Sequence, residues 1–561
     1  MVERERAVVE RLPDGTEHRT GIWYGSQPRR RDRLDQAQLP ALISPSLAEA
    51  QPSAVRTYNS PADRTVRTVL PAGSGRAVTV PGQSAAGNPD LALDISGSTR
   101  TALGLEITSE ITSADVTLEV VVDWGDGTTD KSATKGSGKL KNKHTYTEVG
   151  EYQVKVTVTD VVNGVQAVNG LTHLTQGTEF TPHAPTRLLD TRDGTGTKAG
   201  KVSGRGTTRV KVAGTAGIPA DVEAVALNVT VTNTTGDGHV TVWEGDDFGI
   251  PETSNLNYKA GQSVPNMVIV PVGSDGYVDL FNGGWQSVDL IADITGYFTH
   301  SPSSGYTTMN PTRFVDTREG LGTVKGQLAG RGTFATRISG LNGVPQGITA
   351  VALNVTVTNP KEAGHLSVFP GGSATPTASN LNFTAGQTVA NSVIVPVSPD
   401  GKISLFNGAW APTDVVVDVV GYYSKDSKAA YVVTGSYRII DTRESWWRRG
   451  KLPAHSYLSQ RFTSDDRGPA DAYVLNATVT NTSDSGFLSV APSPFPWLEN
   501  DQPGAPVPPR PGSSTLNWEA GHTTSNLVQA SDGDHGIIDF WNQGWKDADL
   551  IIDVFGVYQT S

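Results

Sequence analysis

The residues best suited to chemistry occur three times. PTRLLDTR at 185–192 returns as PTRFVDTR at 311–318 and as YRIIDTR at 437–443. Late in each repeat stands a pair of aspartates: Asp289 and Asp293, Asp414 and Asp418, Asp549 and Asp553. Paired carboxylates are the machinery of glycoside hydrolysis, and Asp190, Asp289 and Asp293 would supply them in the first repeat. Nucleophilic catalysis needs a base, and no histidine recurs in all three repeats. His239 corresponds to His365, but Phe487 stands at that position in the third. The same absence argues against a repeated zinc site. The chain has no cysteine, which excludes thiol chemistry and disulfides. No cofactor is implied. Three near-identical active sites in series are rare in hydrolases, whereas a framework ion pair is repeated whenever a fold is repeated.

Strand alternation supports the framework use. In 187–192 it places Arg187, Leu189 and Thr191 on one face and Leu188, Asp190 and Arg192 on the other. Each face carries an aliphatic residue, so both are covered and the charges must be paired. The expected structural ion pairs involve Asp190, Arg192 and Asp293; Asp316, Arg318 and Asp418; and Asp441, Arg443 and Asp553. Arg192, Arg318 and Arg443 are expected against Asp293, Asp418 and Asp553, or against Asp289, Asp414 and Asp549.

A better binding candidate is the motif FNGGW at 281–285. It pairs Asn282 with Trp285, and the pattern recurs as Asn407 with Trp410 and Asn542 with Trp545. Each follows a strand and sits beside glycine, so a loop is expected. A loop aromatic can stack on the apolar face of a sugar while an amide bonds its hydroxyls. The alternative is a tryptophan folded over the end of the domain as part of its core. NVT at 228–230 and 354–356 and NAT at 476–478 match the glycosylation sequon, but each asparagine lies within a strand pattern.

These residues need a frame, and the sequence writes it as β-structure. The composition includes 61 glycines and 34 prolines, suiting short strands joined by turns. ALNVTVTN, SNLNYKAGQ, LFNGGW and DLIADITGYF all recur, and Arg187, Arg313 and Arg438 stand 126 and 125 residues apart. Each unit is long enough to be a domain. The first reads as about eight strands, an antiparallel sandwich of jelly-roll or Greek-key type. Phe298 to Arg313 and Tyr423 to Arg438 both span 15 positions. Equal joints predict either a closed pseudo-threefold cluster, which we prefer, or a regular screw.

Before the repeats, VVVDWGDGTTD at 120–130 runs from a strand into a turn, and KHTYTEVGEYQVKVTVTD at 143–160 alternates as a half-buried strand. Trp124-Gly125-Asp126-Gly127 with His144-Thr145-Tyr146 resembles the PKD domain, over about residues 88–176. The resemblance implies an immunoglobulin-like sandwich acting as a spacer or interaction module. Asp123 and Asp126 read as turn caps, since two carboxylates do not make a hard-cation site. From about 181 onward the chain resembles the RLLDTR repeat region of many actinobacterial exported proteins, which implies an extracellular accessory module.

The expected organisation is all-β: a flexible leader at 1–60, a linker or first strand at 61–87, a PKD-like sandwich at 88–178, and repeats at 179–300, 301–425 and 426–561. The stretch 29–51 has a basic start and a short apolar middle, but Asp35, Gln36 and Gln38 spoil it as an export signal. No run is apolar and long enough for a transmembrane helix. The formal charge of −12 disfavours nucleic acid as a partner. Trp446, Trp447, Arg448 and Arg449, and the Pro-rich stretch 492–512, belong to the third repeat alone. The Pro-rich loop either docks a partner or braces its domain. The expected function is a non-catalytic, extracellular or cell-surface binding or adhesion protein directed at polysaccharide or cell-wall glycan. The alternatives are a component of a phage-like fibre, surface appendage or particle assembly, and an accessory chain of a secreted enzyme.

Overall fold

The computed structural model describes residues 56–59, 66–69, 88–245, 249–444, 450–462, 470–498 and 506–561. Most of the expected leader, the greater part of 61–87 and the Trp446–Arg449 insertion lie outside the described residues. The expected leader boundary needs one correction. Arg56–Asn59 is a strand that pairs with Ala92–Thr99, so it belongs to the first sandwich.

That sandwich has a four-stranded and a five-stranded antiparallel sheet. The WGDG segment is its hairpin turn. Gly125 adopts φ 82°, and a side chain there would strike the backbone of Gln153. Asp123 accepts from the Gly125 N–H at 3.1 Å, and Asp126 accepts from the Thr128 N–H at 2.9 Å. His144 stacks on Trp124 with centroids 4.8 Å apart and meets Asp126 Oδ2 at 2.7 Å. Tyr146 donates to the Trp124 carbonyl at 3.0 Å. Both aspartates therefore serve the turn.

Behind Tyr146 lies His173, buried against the rings of Tyr58 and Tyr146, with neither ring nitrogen hydrogen-bonded among the described residues. Burial, with a smaller contribution from Arg56, pushes its pKa down to about 4. The unfolded chain protonates this imidazole near 6.5 and the folded chain only near 4, so the unfolded state binds more protons between those values. Stability therefore rises with pH across that window and is lost on acidification. His173→Phe should flatten the fall in Tm between pH 7 and about 5 seen by thermal melts; an unchanged slope would show that His173 is already protonated when folded.

Among the described residues each repeat has eight strands. In the first they are Glu179–Asp190, Thr207–Lys211, Ala224–Thr232, Gly238–Trp243, Leu256–Tyr258, Val264–Pro271, Tyr277–Asn282 and Asp289–Thr299. By position in the repeat, the two sheets run 1-8-3-6 and 2-7-4-5, all antiparallel, and the other repeats copy this order. This is a jelly roll. In the 1-8-3-6 sheet the inner strands are buried on both faces: Ala224–Thr232 has only its last residue partly exposed, and Asp289–Thr299 only Tyr297. That explains why neither face of Ala224–Thr232 carries charge: Val225, Leu227, Val229 and Val231 fill the jelly roll, while Ala224, Ala226 and Asn228 meet the neighbouring repeats.

Those contacts close a ring. Asn391 donates to Asn228 Oδ1 at 3.2 Å, Asn526 to Asn354 Oδ1 at 3.1 Å, and Asn266 to Asn476 Oδ1 at 3.3 Å. In return the Met267, Ser392 and Leu527 N–H groups donate to Asn391, Asn526 and Asn266 at 3.3, 2.9 and 3.2 Å. Repeat one thus meets two, two meets three, and three meets one. A second ring follows the same cycle through aromatic side chains: Phe180–Tyr423 at 4.2 Å, Tyr306–Tyr558 at 4.2 Å and Tyr431–Phe298 at 4.6 Å. The repeats form the closed pseudo-threefold cluster, not a screw. The sequon residues Asn228, Asn354 and Asn476 are buried in this interface. Asn391→Ala would leave the Met267 N–H and Asn228 Oδ1 short of a partner. It should cost about 1–3 kcal/mol and speed hydrogen exchange in Val389–Pro396; unchanged exchange would mean water replaces the amide.

The first sandwich docks at one end of the ring. Thr178 donates to the Tyr431 carbonyl at 2.8 Å, Ala102 to Gln559 at 3.1 Å, and Arg56 pairs with Glu223 at 3.5 Å. The nine-residue strand Ala224–Thr232 leads from this base to the far end, about 27 Å at strand rise.

Candidate functional site

The repeated charges form a framework, with one change of partner. Arg187, not Arg192, crosses to the last strand. Its Nε meets Asp293 Oδ1 at 3.0 Å and its Nη1 meets Asp190 Oδ2 at 3.0 Å. Arg313 with Asp418 and Asp316, and Arg438 with Asp553 and Asp441, repeat this arrangement. Arg192, Arg318 and Arg443 instead bind Asp190, Asp316 and Asp441, two residues back, each at 2.6 Å. Asp289, Asp414 and Asp549 accept from Thr191, Thr317 and Thr442 at 3.0, 2.9 and 2.9 Å. The cause is a register shift between Arg187 and Leu189, recurring at Arg313/Val315 and Arg438/Ile440. An extra residue reverses the alternation beyond it, bringing Arg187 and Asp190 together.

Burial pushes Asp293, Asp418 and Asp553 above the usual carboxylate range, and the paired guanidinium works against that push. Asp190 and Asp316 move the other way, held low chiefly by hydrogen bonds from Arg192 and Arg318. Two carboxylates displaced in opposite directions look like an acid and a base. Here a guanidinium fills the space between them.

The tip motifs separate into two parts. Asn282 is fully buried, contrary to its expected ligand role. Its Oδ1 accepts from Tyr258 Oη at 2.6 Å and the Gly284 N–H at 3.0 Å, and its Nδ2 donates to the Gln286 carbonyl at 2.8 Å. Asn407 binds the Ala409 N–H and Ala411 carbonyl, and Asn542 binds the Gly544 N–H and Lys546 carbonyl. All three asparagines staple the loop. The tryptophans point outward: Trp285 and Trp410 are 81 % exposed and Trp545 74 %.

Beside each tryptophan stands a residue that sequence inspection passed over. Arg205 lies 5.9 Å from the Trp285 ring and Arg331 5.4 Å from Trp410, each also covering Phe281 or Phe406 at 4.8 or 4.9 Å. Their Nη1 atoms donate to the Gly283 and Gly408 carbonyls at 3.0 Å. In the third repeat His455 makes an edge contact with Trp545 at 4.6 Å. Arg205, Arg331 and His455 all adopt left-handed backbone, with φ 59°, 58° and 53°. That costs a non-glycine residue about 1–2 kcal/mol, so the surrounding turn must hold it. The available signal was SGRGT at 203–207 and AGRGT at 329–333. The Pro-rich segment braces its neighbours where described. Arg510 donates to the His455 carbonyl at 3.1 Å, and Gly512 accepts from Arg313 at 3.2 Å.

The three tips share the end of the ring away from the first sandwich. Each lies between Tyr277–Asn282 and Asp289, or its counterpart, where the last strand begins. At this end the repeats enclose an axial vestibule of ≈ 380 Å³.

No family model matches the chain, and no curated protein matches it. Among solved structures, one of carbohydrate-binding modules from the β-sandwich superfamily is 14 % identical, covering 37 % of this chain and 96 % of its own, with TM-score 0.16. The structure of Sulfolobus Turreted Icosahedral Virus is 9 % identical, covering 68 % of this chain and 90 % of its own, with TM-score 0.14. A structure described as the triple jelly roll fold and turret assembly of an archaeal virus is 10 % identical with the same coverage and TM-score 0.14. The chain is all-β, built from a β-sandwich and repeated jelly rolls.

Proposed function

We propose that this chain is a non-catalytic, extracellular or cell-surface binding protein whose jelly-roll ring presents three tryptophan tips to a glycan. The first sandwich serves as a PKD-type spacer at the opposite end. The observation that carries this reading is the exposure of Trp285, Trp410 and Trp545 at equivalent places on one end of a closed ring. A large aromatic held that far into water has no packing role, and three on one face suit a repetitive surface. Retention on insoluble polysaccharide or cell-wall glycan, compared between wild type and Trp→Ala variants, tests it. A second reading, a component of a particle or appendage, is supported by the ring itself, because one closed chain can cap a threefold assembly. Co-sedimentation with a large particle independent of the tips would favour it.

A further inference from the structure

The vestibule on the pseudo-threefold axis is formed by equivalent residues of all three repeats. Ser263, Thr388 and Thr523 supply hydroxyls, Asn257, Asn382 and Asn517 supply amides, and Gln262, Gln387 and His522 complete the lining. Its volume of ≈ 380 Å³ falls within the range of small-molecule sites. Among the described residues neither lysine nor arginine lines it, and the titratable groups that do are His365, Glu519 and His522. His522 Nδ1 faces Glu519 at 3.9 Å and Gln262 at 3.5 Å. The lining therefore offers many exchangeable hydrogen bonds and little net charge. The amide oxygen of Asn517 is buried without a partner among the described residues, a group that a ligand hydroxyl or water would satisfy.

The chamber adjoins the tips. Gly364 lines it and packs on Ala409, next to Trp410; the Trp518 ring lines it and packs on Gly544, next to Trp545. It also meets a groove of ≈ 200 Å³ between the first and second repeats, with Ser263, His365 and Asn382 common to both. A chain held by the tips could thus pass one end inward.

We propose that the axial vestibule binds the end of a neutral, hydroxyl-rich saccharide chain, as a site separate from the tryptophan tips. This rests on the glycan-binding reading, but its test can fail independently. A low-charge lining of hydroxyls and amides suits a polyol and gives no reward to a phosphate or uronate. Closure of the ring is what creates the site, since no single repeat contains it.

The full chain would be titrated calorimetrically with cellohexaose, maltohexaose and chitohexaose, and with a hexameric polyuronate as the charged control. Thr388→Trp and Gln387→Trp would fill the chamber, with thermal melts confirming folding. The Trp285→Ala/Trp410→Ala/Trp545→Ala variant would remove the tips. The expected result is saturable binding of at least one neutral hexaose. Either filling variant should weaken it at least about ten-fold, while the tip variant should retain it. Three results would overturn the vestibule site. They are no saturable binding of any neutral hexaose, preference for the polyuronate, and hexaose binding lost with the tips but untouched by filling. Tip-dependent retention on polymer alongside the first of these would leave the glycan-binding reading standing; loss of both would end both.

Discussion

Arg187→Met should destabilise the ring by about 3–5 kcal/mol, because it strands a charge the fold has removed from water. Asp293 is 1 % exposed, and its two oxygens receive Arg187 Nε and Nη2 at 3.0 and 3.3 Å. Asp190 loses one of its two arginines but keeps Arg192. The methionine replaces stem volume and no charge, isolating the electrostatic loss. The expected change in Tm is a fall of about 6–20 °C. The variant should also show a stronger acid response at Asp293. Burial already holds the folded pKa of Asp293 above the unfolded value, and losing Arg187 removes the chief opposing influence and raises it further. The folded state then binds the extra proton, so part of the loss should return as pH falls from 7 toward about 5. Asp293→Leu added to Arg187→Met should recover more than either single variant predicts, since two apolar groups of suitable shape can replace a buried pair. A loss below about 1 kcal/mol would mean that water screens the pair as at an open surface.

Arg187 also shows where sequence reasoning stops. The repeat, the eight strands and the pairing of first with last strand are legible because each rests on a local pattern or on its recurrence. Strict alternation then makes Arg192 the arginine that shares a face with Asp190. One extra residue at Leu188 undoes it, and a bulge leaves no mark in a run such as RLLDTR, where Leu188 and Leu189 are both aliphatic. Asn282 fails for another reason. An amide beside a loop tryptophan suits a sugar, but the same amide suits a turn whose N–H and carbonyl groups need partners, and the turn wins because it is always present. The ring is different again. Asn266, Asn391 and Asn526 are visible as an asparagine recurring at the third position of the sixth strand. Their partners lie 210, 163 and 172 positions away in other repeats, a distance over which pattern says nothing.

Removing all three tip tryptophans should reduce retention on a polymeric glycan by roughly 10²–10⁴-fold, while removing one should cost far less. A single exposed ring with a few exchanged hydrogen bonds supplies only about 1–3 kcal/mol net, too little to hold a chain alone. Three rings fixed to one rigid ring structure convert the second and third contacts into intramolecular events. The asparagines cannot add to this, since turn groups occupy them, and both ring nitrogens of His455 are buried; Arg205 and Arg331 can, because each borders an exposed ring. Arg205→Ala and Arg331→Ala should therefore weaken binding by less than the neighbouring Trp→Ala change. Exposure of 74–81 % means that the tryptophans contribute little to packing, so each Trp→Ala variant should melt within about 1–2 °C of wild type. Asn282→Ala should do the opposite: it leaves the Tyr258 hydroxyl and the Gly284 N–H short of an acceptor and lowers Tm before it touches affinity. Retention measured beside thermal melts across this series separates the two roles. Progressive loss of retention from single to double to triple Trp→Ala, at constant Tm, is the expected pattern. Retention unchanged in the triple variant would remove the tips from any binding role and leave the ring as scaffold.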